Sequence, residues 1–159
     1  MSTRPRSAQA ISAERSKPRH RNLPLLLLQA RERIISHFRP VLHAHGITEQ
    51  QWRVVRVLLE VPRLEPRQIG ELCTISSPSL AGVLERMEQA GYVVRRRVER
   101  DQRRVYVSLT PRSRKLAASM SPQIDAIYRR LESSMSAEFF ARLEQTLDLL
   151  LEGCSHPLR

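Results

Sequence analysis

Apolar residues recur along most of this chain every three or four positions, which is the spacing of an amphipathic α-helix. The pattern predicts a first helix over residues 23–42, whose end Pro40 should kink or interrupt. Near the other end, Thr110 is placed to cap a long helix that Pro122 should bend or divide, and Ser136 begins a last helix with a wide apolar face. The outer parts of the chain are therefore expected to be helical.

The segment between these outer helices begins with two predicted helices. Thr48 and Gln51 have the spacing of a capping box and start a helix through about residue 60, and Pro62 follows its end. Residues 66–73 form the next helix. The side chains expected to be buried are Trp52, Val55, Leu58 and Leu59 on the first of these two helices and Ile69 and Leu72 on the second.

A further helix runs to about residue 90, and with the helix at 66–73 it forms a pair of short helices joined by a tight turn, a helix-turn-helix. Ser76 or Ser77 caps the helix. Its buried stripe is expected to consist of Leu80, Val83, Leu84 and Met87. Beyond it, β-forming residues over 92–98 and 105–109 have the period of a hairpin, around a charged tip at 99–104. The fold class predicted is mainly α with a small β-hairpin wing, a winged helix-turn-helix with N- and C-terminal dimerisation helices.

The chain is short and strongly basic. Its 159 residues fit one domain of ordinary size, and its formal net charge is +11, because 27 lysines and arginines oppose 16 acids. This balance indicates a polyanionic partner, and double-stranded DNA suits a winged fold. Residues 1–22 are rich in arginine and poor in apolar side chains, so we expect a flexible basic arm there, with or without a role in binding.

Several classes of protein are disfavoured by the sequence. No apolar run approaches the roughly 18–20 residues that cross a bilayer, and the first residues lack a secretory signal pattern. Two cysteines cannot form a disulfide framework, so a cytoplasmic protein is expected. Because no nucleotide-binding glycine motif and no hydrolase or metalloprotease motif occurs, we expect no enzyme activity, cofactor or bound metal.

The candidate DNA contacts lie on the second helix of the helix-turn-helix and on the hairpin. Small polar residues near the start of a recognition helix can approach base edges closely, and the helix N-terminus favours phosphate. The window 95–104 holds six arginines and two acids, a net charge of +4, and an arginine at a hairpin tip can reach a minor groove. The candidates are Ser76, Ser77, Pro78, Ser79 and Arg86 on the helix and Arg95, Arg97, Arg100, Arg103 and Arg104 on the hairpin.

The first and last helices carry more apolar surface than a small helix-turn-helix can cover. Symmetric pairing of these faces would give a homodimer with two recognition helices about 34 Å apart, which would read a pseudo-palindromic operator. Packing within a single globule is the alternative. The residues expected in the dimer interface are Leu23, Leu27, Phe139, Phe140, Leu143, Leu147 and Leu150.

The wing sequence resembles that of a known family of regulators. Residues 101–110, DQRRVYVSLT, resemble the D-x-R…L-T wing signature of the multiple antibiotic resistance regulator (MarR) family, and residues 91–95 and 80–87 also suit its pattern. The resemblance covers residues 23–153. More narrowly, residues 25–58 are similar to the branch that controls homoprotocatechuate and related aromatic-acid catabolism.

The resemblance implies a homodimeric transcriptional repressor that a small phenolic or aromatic carboxylate releases from its operator. It implies that Arg103 enters the minor groove and that Asp101 orients it. Ala81 departs from the pattern, because many relatives have threonine there, so that base contact is not carried over. The implied division is a DNA-binding lobe at 48–110, dimerisation helices at 23–46 and 111–153, the arm at 1–22 and a tail at 154–159.

The resemblance also implies an effector pocket between the first two helices, the long fifth helix and the DNA-binding lobe. A guanidinium fork suits a carboxylate, and a flat ring packs well on an indole. The candidate pocket residues are Arg31, His37, Trp52, Arg53 and Arg56. The alternative is a tryptophan that is part of the core, surrounded by surface arginines.

Three other hypotheses stay open from the sequence. Cys73 could act as a redox sensor, although its apolar neighbour Leu72 favours a packed thiol. His37, His43 and His45 could bind a metal, but no cysteine or acid pair completes a tetrahedral set. An architectural protein that binds DNA without regard to sequence would share the basic arm and wing.

Overall fold

The computed structural model describes residues 21–98 and 101–155, and at residues 98 and 101–103 it describes the backbone alone. The described residues form six helices and one two-stranded antiparallel hairpin. The elements are α1 (Leu23–Ala44), α2 (Glu49–Glu60), α3 (Pro66–Cys73), α4 (Ser77–Gln89), β1 (Val93–Val98), β2 (Asp101–Leu109), α5 (Pro111–Met135) and α6 (Ala137–Gly153). The fold class predicted from the sequence is confirmed. Most of the predicted arm, residues 1–20, and most of the tail, residues 156–159, lie outside the described residues.

Local capping explains where several helices begin. The hydroxyl of Thr48 accepts a hydrogen bond from the backbone N–H of Gln51 at 3.2 Å, and the Gln51 side chain accepts one from the N–H of Thr48 at 2.8 Å. This is the predicted capping box, and it satisfies two donors that the first turn leaves unpaired. At α5 and α6, the hydroxyls of Thr110 and Ser136 each accept one hydrogen bond from the backbone N–H three residues further on.

The two internal prolines do not divide their helices. Pro40 lies inside α1, which continues to Ala44, and Pro122 lies inside α5. An interruption near Pro40 and a division near Pro122 are therefore excluded, and the alternatives, a kink in α1 and a bend in α5, stay predictions. A proline removes one backbone hydrogen bond, but Leu42 and Ile124, two residues further on, are buried in the core and hold the next turn in place.

The hairpin is longer than the sequence pattern predicts. β2 begins at Asp101 rather than Val105, and Val98 pairs with Asp101 across the turn. The charged residues of the predicted tip belong largely to the strand, because the ends of a hairpin that face solvent tolerate polar side chains on both faces. A backbone bridge between Leu64 and Val107, with N–O distances of 3.2 and 2.8 Å, fastens the hairpin to the α2–α3 loop.

The core lies mainly between α2, α3, α4, the hairpin and α5. Every residue of the predicted α4 stripe is buried, as are Trp52, Val55, Leu58 and Ile69. Leu59 and Leu72 were predicted to be buried but are 37% and 59% exposed. Each lies next to a residue that faces the core, Leu58 or Cys73, so the helix rotation of about 100° per residue turns it outward.

The outer helices, α1 and α6, expose apolar side chains. α6 buries no residue within this chain, and the N-terminal half of α1 is exposed, whereas Phe38 and Leu42 near its other end are buried. Phe38 packs edge-on against Tyr128 of α5 at 5.2 Å between ring centroids. None of the helices in the described ranges combines the length and the apolar character that a membrane span requires.

Candidate functional site

The turn between α3 and α4 positions α4, the helix on which the sequence predicts DNA contacts. Thr74 adopts a left-handed conformation with φ of 51°, and the N–H of Ile75 donates to the carbonyl of Gly70 at 2.9 Å. A Cβ on Gly70 would lie 3.1 Å from the Ile75 carbonyl oxygen, so this close approach favours glycine. The DNA-contact candidates of this region, Ser76, Ser77, Pro78, Ser79 and Arg86, are all exposed.

Two of the wing arginines are held by acids of neighbouring helices. Arg95 Nε lies 3.2 Å from a carboxylate oxygen of Glu88 on α4. Arg104 donates to Glu65 at the start of α3, with its Nη2 at 2.5 Å, and to the hydroxyl of Tyr106 at 2.8 Å. These pairs fix the root of the wing against the helix-turn-helix.

The remaining wing candidates are placed less fully. Arg97 is exposed on β1. Arg100 lies outside the described residues, as do the side chains of Asp101 and Arg103. Their roles at the wing tip stay predictions.

A cavity of about 240 Å³ opens between α2 and α5, and we call it the α2–α5 cavity. Its apolar wall contains Trp52, Leu59, Ala117, Ala118 and Ile124, and its polar groups are Arg56, Arg114, Ser121 and Asp125. The Ser121 hydroxyl donates to Asp125 at 3.4 Å. The cavity thus combines an indole, two guanidinium groups and one carboxylate.

The structure brings only part of the predicted effector pocket together. Trp52 and Arg56 line the α2–α5 cavity, whereas Arg31, His37 and Arg53 do not. His37 is exposed on α1. Arg53 Nη1 donates to the carbonyl of Cys73 at 2.5 Å, where it joins α2 to the end of α3.

Arg31 belongs to an ion-pair cluster between α1 and α2. It pairs with Glu49, which also lies 3.7 Å from Arg39, and Arg39 forms two hydrogen bonds with Glu32 at 2.5 and 2.9 Å. The hydrogen bonds from Arg39 hold the pKa of the Glu32 carboxyl below its ordinary value. The Arg31 guanidinium is therefore engaged by a carboxylate of this chain.

Sequence reasoning missed the α5 side of the cavity. Arg114, Ser121 and Asp125 were not among the candidates, although positions 114, 118, 121 and 125 have the spacing of one helix face. That spacing was a usable signal. It could not show that the face meets α2, because that depends on tertiary packing.

The two cysteines differ in their exposure to solvent. Cys73 is 3% exposed, and burial raises the pKa of its thiol, which disfavours the reactive thiolate. Cys154 is exposed at the end of α6. Within residues 21–98 and 101–155, no three histidine, cysteine or acidic side chains are grouped so that they could hold a metal ion.

Comparisons with known proteins identify the family. The family model described as MarR family matches residues 45–104. The chain is 41% identical over 129 residues to the homoprotocatechuate degradative operon repressor of Escherichia coli. The aligned region covers 81% of this chain and 87% of that repressor. The structure resembles crystal structures of the transcriptional regulator PA4135 (TM-score 0.82, 42% identity, 84% and 98% of the two chains) and of NadR in complex with 4-hydroxyphenylacetate (TM-score 0.77, 36% identity, 85% and 96%). The chain belongs to the MarR family of transcriptional regulators.

Proposed function

We propose that this chain is a ligand-responsive repressor in the cytoplasm. It binds a pseudo-palindromic DNA operator as a homodimer, and a small phenolic or aromatic carboxylate releases it. The controlled genes encode the breakdown of an aromatic compound. Support comes from the E. coli relative, a repressor of a homoprotocatechuate degradative operon, and from NadR, which was crystallised with 4-hydroxyphenylacetate.

The observation that carries the proposal is the composition of the α2–α5 cavity. Drug-sized ligands occupy pockets of about 300–1,000 Å³, so a cavity of about 240 Å³ suits a molecule with a single ring. Trp52 offers the ring a flat apolar surface. Two arginines and one aspartate at the same cavity match a ligand that carries both a carboxylate and a hydroxyl group.

The two polar groups of such a ligand have different partners. Arg56 and Arg114 present guanidinium forks that can each donate two parallel hydrogen bonds to a carboxylate. Arg56 lies 3.8 Å from Glu60, an exposed pair one helix turn apart that contributes little and is readily exchanged for a ligand. Asp125 can accept a hydrogen bond from a phenolic hydroxyl, in place of the long one that it receives from Ser121.

The position of the cavity supplies a route from ligand to DNA. α2 packs against both helices of the helix-turn-helix, and α5 connects the hairpin to the outer helix α6. A ligand between α2 and α5 therefore acts where the DNA-binding lobe joins the proposed dimer interface. A ligand that binds more tightly, by about 1–3 kcal/mol, when the DNA-binding lobes of the two subunits have one particular spacing would change operator affinity roughly 5–150-fold.

Ligand binding to the purified protein tests the proposal. We expect 4-hydroxyphenylacetate to bind, to raise the melting temperature, and to weaken binding to a duplex that the protein itself selects from a random pool. Phenylacetate lacks the hydroxyl group, and 4-hydroxyphenylethanol lacks the carboxylate. Arg56→Gln should weaken 4-hydroxyphenylacetate binding about tenfold or more and leave 4-hydroxyphenylethanol unaffected, because only the former carries a carboxylate.

Matched variants make this test specific. Asp125→Ala should reduce the preference for 4-hydroxyphenylacetate over phenylacetate, whereas Arg33→Gln, which removes an exposed arginine from α1, should change neither affinity. Isothermal titration calorimetry measures each affinity. Equal effects of Arg56→Gln on the acid and on the alcohol would contradict the assigned role of this side chain.

The two remaining alternatives are not favoured. The buried thiol of Cys73, with its raised pKa, is poorly suited to sensing peroxide. An architectural protein would not discriminate among duplexes, whereas a regulator should prefer its operator over random DNA by about 10³ or more at fixed salt. Competition binding with the selected duplex measures this ratio.

A further inference from the structure

A second cavity, separate in position from the α2–α5 cavity, lies on the outer face of the hairpin. β1 and β2 turn Val93, Val107 and Leu109 toward the core, and they turn the alternate residues away from it. A groove of about 780 Å³, lined mainly by these outward residues of the hairpin, runs from the α2–α3 loop along the hairpin to the start of α5. We call it the outer wing groove.

Positive charge in the outer wing groove has no counter-charge in the described structure. The residues that line it include no acid and four arginines, which are Arg63, Arg96, Arg97 and Arg114. All four are exposed, and no salt bridge joins any of them to an acid within the described ranges. Arg95 and Arg104, on the same hairpin, differ because Glu88 and Glu65 pair with them.

Other groups in the groove also favour an oxyanion. Arg63 lies over the ring of Tyr106, with its guanidinium carbon 5.9 Å from the ring centroid, so the groove holds this side chain against an aromatic wall. α5 begins at Pro111 on the groove wall, and the positive end of its backbone dipole adds to the arginine charges. The hydroxyl of Ser108 is a further donor beside them.

We propose that the outer wing groove is a binding site for phosphate groups. Four guanidinium groups exceed what one carboxylate can engage, whereas a phosphate group offers three oxygens for paired donors, and successive phosphates can use several arginines. The phosphates come either from the backbone of the operator or from a free phosphate compound. The groove shares Arg114 with the α2–α5 cavity, so Arg63, Arg96 and Arg97 are the arginines that belong to this site alone.

The test uses the full-length protein with pyrophosphate and, separately, with DNA. Arg63→Gln/Arg96→Gln removes two groove arginines and leaves Arg114 in place. Arg130→Gln removes the same kind of charge from an exposed site on α5, about 24 Å along the helix from Arg114. Arg96→Gln alone serves as a second variant, because Arg63 also packs on Tyr106. Thermal melts confirm that each variant is folded.

Two measurements distinguish the sources of phosphate. Calorimetry with pyrophosphate should show saturable binding to the wild type, weakened at least about tenfold in the double variant and unchanged in Arg130→Gln. In DNA binding, the slope of log affinity against log salt should fall by about 1 for each DNA phosphate that the variant no longer neutralises. An effect on the slope alone assigns the groove to operator phosphates, and an effect on pyrophosphate alone assigns it to a free compound.

The proposal is overturned if the double variant matches Arg130→Gln in both measurements. Arg56→Gln, which alters the α2–α5 cavity only, should leave pyrophosphate binding unchanged. If the protein does not respond to 4-hydroxyphenylacetate but still binds pyrophosphate, the effector proposal is contradicted and the phosphate-site proposal is not.

Discussion

The DNA-binding lobe and the outer helices of this chain bury their apolar residues in different ways. In the predicted lobe, residues 48–110, side chains from α2, α3 and α4 pack against one another, and Leu58, Ile69 and Met87 have no exposed surface. In α6, no side chain is buried, and Phe139 at 41% and Leu149 at 69% are largely exposed. These lobe side chains are buried within one chain, whereas the apolar faces of the outer helices stay exposed on it.

The division between the two regions runs through a single helix. The C-terminal half of α1 packs on the core through Phe38 and Leu42, while Leu23 and Leu27 near its start are exposed. Exposed apolar area of this extent is uncommon on monomers and is typical of an oligomer interface. We infer that α1 and α6 together form the homodimer interface, which the family resemblance also implied.

The largest expected effect is on dimer affinity, when a charged residue replaces an apolar one on α6. Leu147→Glu should raise the dissociation constant of the dimer by about two to four orders of magnitude, because the two-fold axis repeats the loss and each buried leucine contributes about 1.5–3 kcal/mol. Sedimentation velocity over a range of concentrations measures this change. DNA binding should weaken in parallel, since a single lobe contacts half of the operator.

Gln145→Glu is the matched control for this variant. It adds the same charge two residues earlier on α6, about 200° around the helix from Leu147. We expect it to leave the dimer intact. A monomeric wild-type protein, or equal effects of the two glutamates, would refute the proposed interface.

A truncated side chain in the core of the lobe should change stability and leave dimer affinity unchanged. Leu58→Ala removes a side chain with no exposed surface and should lower the free energy of unfolding by about 2–5 kcal/mol. The dissociation constant of the native dimer should stay unchanged, because Leu58 faces the core of its own chain. Urea unfolding and sedimentation measure the two quantities. A large shift in dimer affinity would show that the lobe and the interface are not separate units.

The sequence predicted local structure well because local signals determine it. The capping box of Thr48 and Gln51 depends on residues three apart, and the α4 stripe follows from helical period alone. Burial at the edge of an apolar stripe was harder to predict. Leu72 was expected to be buried, but its neighbour Cys73 faces the core instead. Helical periodicity predicts which side of a helix faces the core, but it does not predict how many residues on that side the neighbouring elements cover.

Prediction of the candidate site failed where partners come from distant elements. Arg31 borders an apolar stripe, as a pocket residue would, yet Glu49 on α2 pairs with it. Asp125 shares one face of α5 with Arg114 and Ser121, but only the packing of α5 on α2 brings that face to the same cavity as Arg56. Charge pairing and cavity lining are tertiary properties, so residue type and spacing select candidates without fixing their partners.

The reactivity of the two cysteines tests the difference in burial between the two regions, because one cysteine lies in each region. Cys73 is buried at the end of α3, and Cys154 is exposed after α6. In Cys154→Ser, the remaining thiol should not react with a water-soluble disulfide reagent in the native protein and should react fully in guanidinium chloride. Burial raises the pKa of Cys73, so the native thiol stays protonated at a pH where the unfolded thiol begins to ionise. Peroxide should then leave operator affinity unchanged, whereas rapid native labelling of Cys73 and loss of DNA binding would restore the redox hypothesis.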